Sequence, residues 1–316
     1  MSKKVLVIGE LNVDLIVTGL PSLPVLGQEL TCTGLSRALG SSSAIFSRAL
    51  AGLGAQVDFM GKVGDDDNGH FMVAQLQEVG IGTQGVIIDP SVQTGVTISL
   101  TYPEEKAQIT YLGSIADYSL ADVNLDVLGD YDHLHMASMY LQRGLRPAFP
   151  ELLRQAKMCG LTTSLDPGWD QEEEWDGGLF KALSAVDILF VNEHEVKAIG
   201  KSESIRKASM TLARQANMVI ARLGAEGAWL TGQDGTTLES PAFPVEVVDT
   251  TGAGDSFNAG FIYQYVVKGS SKPEALRFAN ACGALAVTRV GGASSVPSAS
   301  EVEAFLAELS NDEDTR

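Results

Sequence analysis

The run Asp249-Thr-Thr-Gly-Ala-Gly-Asp-Ser-Phe257 sets two glycines and a carboxylate before an amphipathic stretch, Ser256–Val267, with Phe257, Phe261, Ile262 and Tyr265 on one face. Gly252 and Gly254 let backbone N–H groups converge with no side chain in the way. A helix starting directly afterwards adds unpaired N–H donors and the positive end of its dipole. Gly252, Ala253 and Gly254 are therefore a candidate anion hole. Such a hole suits phosphoryl transfer, which needs charge stabilised on the oxygens of the moving group. Asp255, at the helix start, is then a candidate base for the proton of an attacking hydroxyl. A glycine turn closed by a capping aspartate is the plainer reading of the same residues.

Further polar groups recur just after apolar, strand-like runs, where an α/β sheet opens its ligand crevice. Gly9-Glu-Leu-Asn-Val-Asp14 follows Lys4–Ile8, and Asn12 and Asp14 suit either a ligand or a strand-exit turn. Asn192-Glu-His-Glu195 follows Ile188–Val191. It supplies oxygen donors for a hydrated Mg2+, or a helix cap with Glu195 closing a capping box. His194 reads as an exposed helix residue, and Asp66, within Gly61–Gly69, as a helix cap.

These groups need a frame. Strand candidates Lys4–Ile8, Val57–Gly61, His133–Ala137, Thr162–Leu165, Ile188–Val191 and Met218–Ala221 alternate with helical stretches. The latter are Ser43–Leu53, Asn68–Val79, Pro147–Met158, Ile205–Gln215, Ser256–Val267 and Pro273–Val287, with Ser300–Leu309 as a last helix. The alternation predicts an α/β fold, a mostly parallel sheet with helices on both faces. Val245–Val248 looks like a further strand, and Trp169 with Glu172–Trp175 like the start of a surface helix. Residues 14–33 and 94–112 carry extended, alternating patterns instead. They predict a small β lid inserted into one domain over residues 1–310, with 311–316 a disordered charged tail.

The 316 residues include 40 acidic and 22 basic ones, a formal charge of −18. That field is the opposite of what phosphate backbones attract, so no nucleic-acid partner is expected. An anionic nucleotide would have to be met by local donors. Cys32, Cys159 and Cys282 are far apart and form no Cys/His cluster, which argues against disulfides and structural zinc and fits a reduced, cytoplasmic compartment. The apolar run after Met1-Ser-Lys-Lys soon meets Glu10 and Asp14, unlike a secretory leader. Nowhere do about 18 apolar residues run together, so no membrane span is expected.

The nine-residue string at 249–257 resembles the C-terminal signature of the ribokinase (PfkB) family of carbohydrate kinases, and similar segments recur in order over nearly the whole chain. The resemblance implies a ribokinase-like fold with a β lid, ATP and Mg2+ as co-substrate and cofactor, and a small sugar as acceptor. It implies Asp255 as catalytic base and Gly252, Ala253 and Gly254 as anion hole. Asn12, Asp14, Gly40, Ser41 and Ser42 fall where the family holds its sugar. Asn192 and Glu195 match the motif that helps hold magnesium through water. Arg222-Leu-Gly-Ala-Glu-Gly227 resembles the nucleotide loop, with Gly224 and Gly227 in place and Arg222 where a threonine is usual. Asn280, Gly283 and Ala284 match the helix lining the adenine pocket, though helix packing explains them equally. Ala286, Arg289, Gly291 and Ser295, with Asp249 and Thr251, resemble a monovalent-cation loop and imply K+ dependence.

Departures from the family pattern bear on the substrate. The usual Gly-Gly pair becomes Gly40-Ser41, and the asparagine four residues on becomes Ile45, which cannot hydrogen-bond a sugar hydroxyl. Polar sites discriminate strongly, so the acceptor is expected to differ from ribose or fructose unless Ser41, Ser42 and Ser43 take over. Gly168 stands where relatives carry an asparagine two residues after Asp166. A nucleoside kinase on the same fold is the alternative enzyme, and a sugar- or nucleotide-binding regulatory protein the alternative from another class. The strand edges of a lid also suit pairing with a second copy, giving a homodimer.

Overall fold

A computed structural model of the chain describes residues 3–102, 106–289 and 296–313. Its strands are β1 (Lys4–Ile8), β2 (Asn12–Thr18), β3 (Gly34–Leu39), β4 (Gln56–Gly64), β5 (Gly82–Asp89), β6 (Gly95–Thr101) and β7 (Lys106–Tyr111). They continue as β8 (His133–Ala137), β9 (Thr162–Asp166), β10 (Ile188–Asn192), β11 (Met218–Arg222), β12 (Ala228–Gly232) and β13 (Thr237–Ser240). The helices are α1 (Ser42–Gly52), α2 (Asp67–Glu78), α3 (Ser114–Asp117), α4 (Phe149–Met158) and α5 (Leu179–Ala182). They are followed by α6 (Glu193–Gly200), α7 (Ile205–Ala213), α8 (Ala253–Ile262), α9 (Lys272–Val287) and α10 (Ala299–Glu313).

The large sheet runs β13-β12-β11-β10-β9-β8-β1-β4-β5, parallel from β11 to β5, with β12 and β13 added antiparallel. From β1 the chain builds outward through β4 and β5 on one side, then returns to β8 and builds through β9, β10 and β11 on the other. The order therefore reverses between β1 and β8, and ligands of such sheets bind outside the carboxyl ends of the strands at that point. Side chains of β1 alternate between two cores: Val5 and Val7 pack with α1, α8 and α9, Leu6 and Ile8 with α4 to α7. All four are fully buried, each worth roughly 1.5–3 kcal/mol. A sheet buried on both faces holds its strand ends fixed, which is what a site built there requires.

The second sheet, β3-β2-β6-β7, is the lid. Its β2 leaves β1 after three residues, so Asn12 and Asp14 lie at the seam between the two sheets. The sequence reading set the lid at 14–33 and 94–112; the strands occupy 12–18, 34–39, 95–101 and 106–111, and the first return strand lies later than expected.

Other elements differ from expectation for local reasons. Val245–Val248 is not a strand: Val247 and Val248 are exposed, and the Val248 N–H donates to the Val287 carbonyl. Glu172–Trp175 starts no helix, because Asp170 accepts the N–H groups of Glu172 and Trp175 and folds the segment into a turn, burying Trp175. Edge strand β5 and the β12–β13 hairpin, turning at Gly235 with φ 84°, were not anticipated. Helix α10 runs to Glu313, past the start of the charged tail at 311; residues 314–316 lie outside the described residues.

Candidate active site

A cavity of about 250 Å³ opens at the carboxyl end of β1, between the large sheet and the lid. Glu10, Asn12, Asp14, Ser41, Ser42, Ile45, Gly252 and Asp255 all face it. The candidate base and the sugar-type polar residues are thus brought into one space. Asn12 donates from Nδ2 to Asp14 Oδ1 at 3.0 Å and to Thr97 Oγ1 at 3.1 Å. Gly40 makes that pairing possible, since a Cβ there would lie 2.1 Å from Asp14 Oδ1 and 2.7 Å from Asn12 Nδ2. Burial pushes the Asp14 carboxyl up to about 6, against the charge of Lys106 and the hydrogen bond from Asn12.

The serine triplet divides its work. Ser41, at φ 72°, caps α1 by accepting the Ala44 N–H at 3.1 Å, and its hydroxyl donates to the Glu10 carbonyl. Ser43 donates both its N–H and its hydroxyl to the Glu10 carboxylate. Ser42 alone is directed at the chemistry, its hydroxyl reaching Asp255. Glu10 is only 2% exposed, and its burial raises the carboxyl, with the Ser43 hydrogen bonds as the main counterweight. Ile45 contributes an apolar wall.

The glycine run forms the turn into α8. Gly252 caps α8 at φ 74°, a left-handed conformation suited to glycine, and Ala253 and Gly254 open the helix, the Ala253 N–H making a long bond of 3.3 Å to the Thr250 carbonyl that an anion would displace. The helix begins three residues earlier than the amphipathic pattern suggests and passes into a π turn at Tyr263–Lys268. Asp255 lies in its first turn, partly open to the cavity. Desolvation by the surrounding protein, then the negative charges of Asp166 and Glu10, push its carboxyl up to about 8 against Arg222 and the Ser42 hydroxyl.

Arg222 lies behind this turn. Its Nη1 donates to Asp166 Oδ2 at 2.6 Å, to Asn258 Oδ1 at 2.8 Å and to the Gly254 carbonyl at 3.4 Å. Its Nη2 is 3.8 Å from Glu195 Oε2. Asn258 Nδ2 also donates to Asp166, at 2.8 Å. Asn192 and Glu195 form a capping box on α6, each accepting the other's N–H at 2.8 Å. Burial and the charge of Asp166 push Glu195 up to about 7, against Arg222. Asp166 and Glu195 are hard oxygen donors at adjacent strand ends. Among the described residues no three His, Cys, Asp or Glu side chains converge to hold a bare ion. Such a set fits a magnesium ion that keeps its waters and arrives with phosphates.

The remaining anticipated residues fall into two groups. Gly227 and Asn280 meet at residues 240–242, and Gly224 lies in the same turn as Gly227, its carbonyl accepting the Gly227 N–H at 3.1 Å. Asn280 Nδ2 donates to the carbonyls of Ser240 and Pro241, and a Cβ on Gly227 would meet the Ser240 carbonyl at 2.1 Å. Gly283 packs near Ala253 and Phe257, and Ala284 follows on α9. In the second group, the Val287 carbonyl accepts the N–H groups of Val248 and Asp249, bringing Asp249 and Thr251 beside the end of α9 with Ala286. Arg289 pairs with Glu301 at 2.8 Å, whereas Gly291 and Ser295 lie outside the described residues. Asp66 caps α2 through the Gly69 N–H at 2.8 Å, and His194 is exposed beside Trp169.

Sequence reasoning missed several cavity residues. Glu10 was noted only as a charge interrupting an apolar run, although its position two residues past β1 was a usable signal. Lys106, Gln108 and Thr110 alternate along β7 and line the cavity from the lid side. Asn258 carried no signal, being one helical turn past the glycine run. A larger cavity of about 530 Å³ lies between residues 238–244 and helices α9 and α10, away from these groups.

A doubly wound sheet with a β lid over a candidate base, a glycine-rich helix start and a polar cavity is the architecture of a small-molecule kinase. The chain belongs to the pfkB family of carbohydrate kinases, whose family model matches residues 2–299. It is 34% identical over 309 residues to an ATP-dependent ribose-1-phosphate kinase from Halopiger xanaduensis, covering 96% of this chain and 98% of that protein. It is 30% identical over 319 residues to fructokinase-1 of Oryza sativa subsp. japonica, covering 95% and 97%. A solved structure from E. coli, named provisionally as ribokinase II and holding ATP and Mg2+, superposes with a TM-score of 0.85 at 26% identity. That match covers 97% of this chain and 99% of the other. Among the described residues no helix is long and apolar enough to cross a membrane.

Proposed function

We propose that the chain transfers the γ-phosphoryl group of ATP to a hydroxyl of a small neutral sugar. The observation that carries this reading is the single cavity in which Asp255, the Gly252 end of the anion hole, Asn12 and Asp14 meet. Asn12, Asp14, Gly40 and Ser41 hold and shape the acceptor, Asp14 accepting a sugar hydroxyl. Asp255 takes the proton of the attacking hydroxyl, and Ser42 keeps its carboxylate turned toward that oxygen. The N–H groups of Gly252, Ala253 and Gly254 meet the oxygens of the phosphoryl group. Mg2+, held through water by Asn192, Glu195 and Asp166, supplies charge neutralisation on the phosphates.

The neutral acceptor follows from charge: Glu10, Asp14 and Asp255 all face the cavity, against one lysine. A sugar phosphate would bring a dianion into that field. Nucleotide contact is assigned to Gly224, Gly227, Asn280, Gly283 and Ala284, with Arg222 acting from behind the anion hole rather than on the phosphates. K+ held by Asp249, Thr251, Ala286, Arg289, Gly291 and Ser295 is the monovalent-cation reading. The unpaired cysteines suit the cytoplasm. The outer lid face exposes Leu35, Ile98, Ile109 and Tyr111, and a homodimer formed through that face would cover them.

The test is ADP release from ATP and Mg2+ with a panel of neutral sugars, sugar phosphates and nucleosides. Stimulation by a neutral sugar supports the reading. Stimulation by ribose 1-phosphate or a nucleoside alone replaces the acceptor class, and tight ATP binding without any stimulation favours the binding-protein alternative.

A further inference from the structure

Phosphoryl transfer in this cavity meets an electrostatic difficulty. Three carboxylates, Glu10, Asp14 and Asp255, face the place where a phosphoryl group carrying several partial negative charges must pass. Arg222 cannot offset them at the front of the anion hole, because its guanidinium is committed to Asp166, Asn258 and Glu195 behind it. Lys62 is held by Asp117 and Asp122 at 2.8 and 3.1 Å. Among the described residues the one cation that lines the cavity is Lys106.

Lys106 opens β7, and Lys106, Gln108 and Thr110 alternate on the lid face that closes the cavity. Thr110 sits at the acceptor end, its Oγ1 3.0 Å from Thr97 Oγ1, which in turn accepts from Asn12. Four residues of strand, about 14 Å, separate the two ends. Lys106 is therefore at the far end from Asn12, and its ammonium crosses from the lid to the anion-hole loop, donating to Thr251 Oγ1 at 3.2 Å. Thr251 directly precedes Gly252, so an oxygen bound by the cradle N–H groups comes within reach of that ammonium. Among the described residues Lys106 forms no ion pair, and two of its three donors remain for a ligand.

Resting on the kinase reading above, we propose that Lys106 is a further catalytic residue, delivered by the lid, which contacts the transferring phosphoryl group. The acceptor hydroxyl oxygen forms its bond to Pγ as the bond from Pγ to the β,γ-bridging oxygen breaks. The bond pair leaves on ADP, and the hydroxyl proton passes to Asp255. Lys106 gains or loses no proton; its charge offsets the build-up on the equatorial oxygens, and only when the lid lies over the cradle. This couples closure to chemistry and leaves an open enzyme poorly able to spend ATP on water.

The test compares wild type with Lys106→Met and Lys106→Arg. The methionine variant is expected to lose about 100-fold in kcat, as for removal of one transition-state donor, while acceptor KM and ATP affinity stay within a few-fold. The arginine variant should recover part of the rate. An acceptor KM that rises at unchanged kcat would make Lys106 an acceptor contact, and no change in either would make it a bystander; both overturn the proposal. A second measurement needs no turnover: the Kd of ADP with Mg2+ and acceptor, with and without aluminium fluoride as a phosphoryl mimic. Wild type should bind ADP more tightly with the fluoride and Lys106→Met should not. Equal tightening in both, or none in wild type, overturns the assignment. Acceptor-stimulated ADP release by wild type, read in the same runs, separates failure of Lys106 from failure of the kinase reading.

Discussion

Gly40→Ala isolates the acceptor side of the site. The added Cβ would stand 2.1 Å from Asp14 Oδ1 and 2.7 Å from Asn12 Nδ2, where ordinary contacts exceed 3 Å. Relief requires the Asp14 carboxylate to retreat by about an ångström, which is enough to break its bond from Asn12 and its bond to a sugar hydroxyl. A hydrogen bond to a charged group contributes about 1.5–3 kcal/mol, so kcat/KM for the acceptor should fall about 10- to 150-fold. Gly129→Ala is the control, because a Cβ there would meet nothing within 4 Å and the residue lies outside the site. Steady-state kinetics with varied acceptor at saturating ATP reads the difference, and calorimetric titration with ATP alone should show wild-type affinity in Gly40→Ala. Unchanged acceptor kinetics in Gly40→Ala, or an equal loss in Gly129→Ala, would refute the steric argument and the placing of the sugar against Asp14.

Further outcomes follow from the charges around the base. Because Asp255 must be ionised to accept a proton and its carboxyl is raised to about 8, kcat/KM should climb as pH rises toward 8. In Asp166→Asn that limb should move to lower pH, since Asp166 is the largest charge raising Asp255; a limb that stays in place contradicts the coupling. The ligand-free protein should lose thermal stability as pH rises from about 4 to about 8, and level off above that. Asp255 binds its proton more tightly folded than unfolded, so ionising it over that window favours the unfolded chain, and a midpoint that rises would count against its raised carboxyl. Arg222→Ala should destabilise by about 3–5 kcal/mol in denaturant titration, as it strands the buried carboxylates of Asp166 and Glu195. Arg222→Ala combined with Asp166→Asn should cost less than Arg222→Ala alone.

What was legible in the sequence was local. The Asp249–Phe257 string is one turn and one helix start, so its residues must lie together wherever the helix goes. The same holds for Asp66 capping α2 and for Asn192 with Glu195, whose capping box closes over three residues. Strands buried on both faces, such as β1 and β10, announce themselves as apolar runs, whereas edge strand β5, with Gly82 and Gly85 in it, does not. What stayed hidden was pairing between distant segments. The hydrogen-bond partners of Arg222 lie 32 to 56 residues away and Glu195 lies 27 residues back, so its place behind the anion hole could not be read from the loop that carries it. The contact between Lys106 and Thr251 spans 145 residues and depends on where the lid comes down. Glu10 is two residues from a strand end, yet its partner Ser43 is 33 residues on, and together they show why a serine stands there. Glu172–Trp175 misled because an acidic run before an aromatic resembles a helix start, while Asp170 had already claimed the N–H groups.

The central claim is that Asp255 is the base of a sugar kinase. Acceptor-stimulated ADP release by Asp255→Asn, beside wild type and with ATP affinity measured on both, tests it most directly. A positioned general base contributes about 10²–10⁴-fold, so the variant should bind ATP as wild type does, keep its fold and lose at least 100-fold in kcat. A rate within a few-fold of wild type would contradict the account.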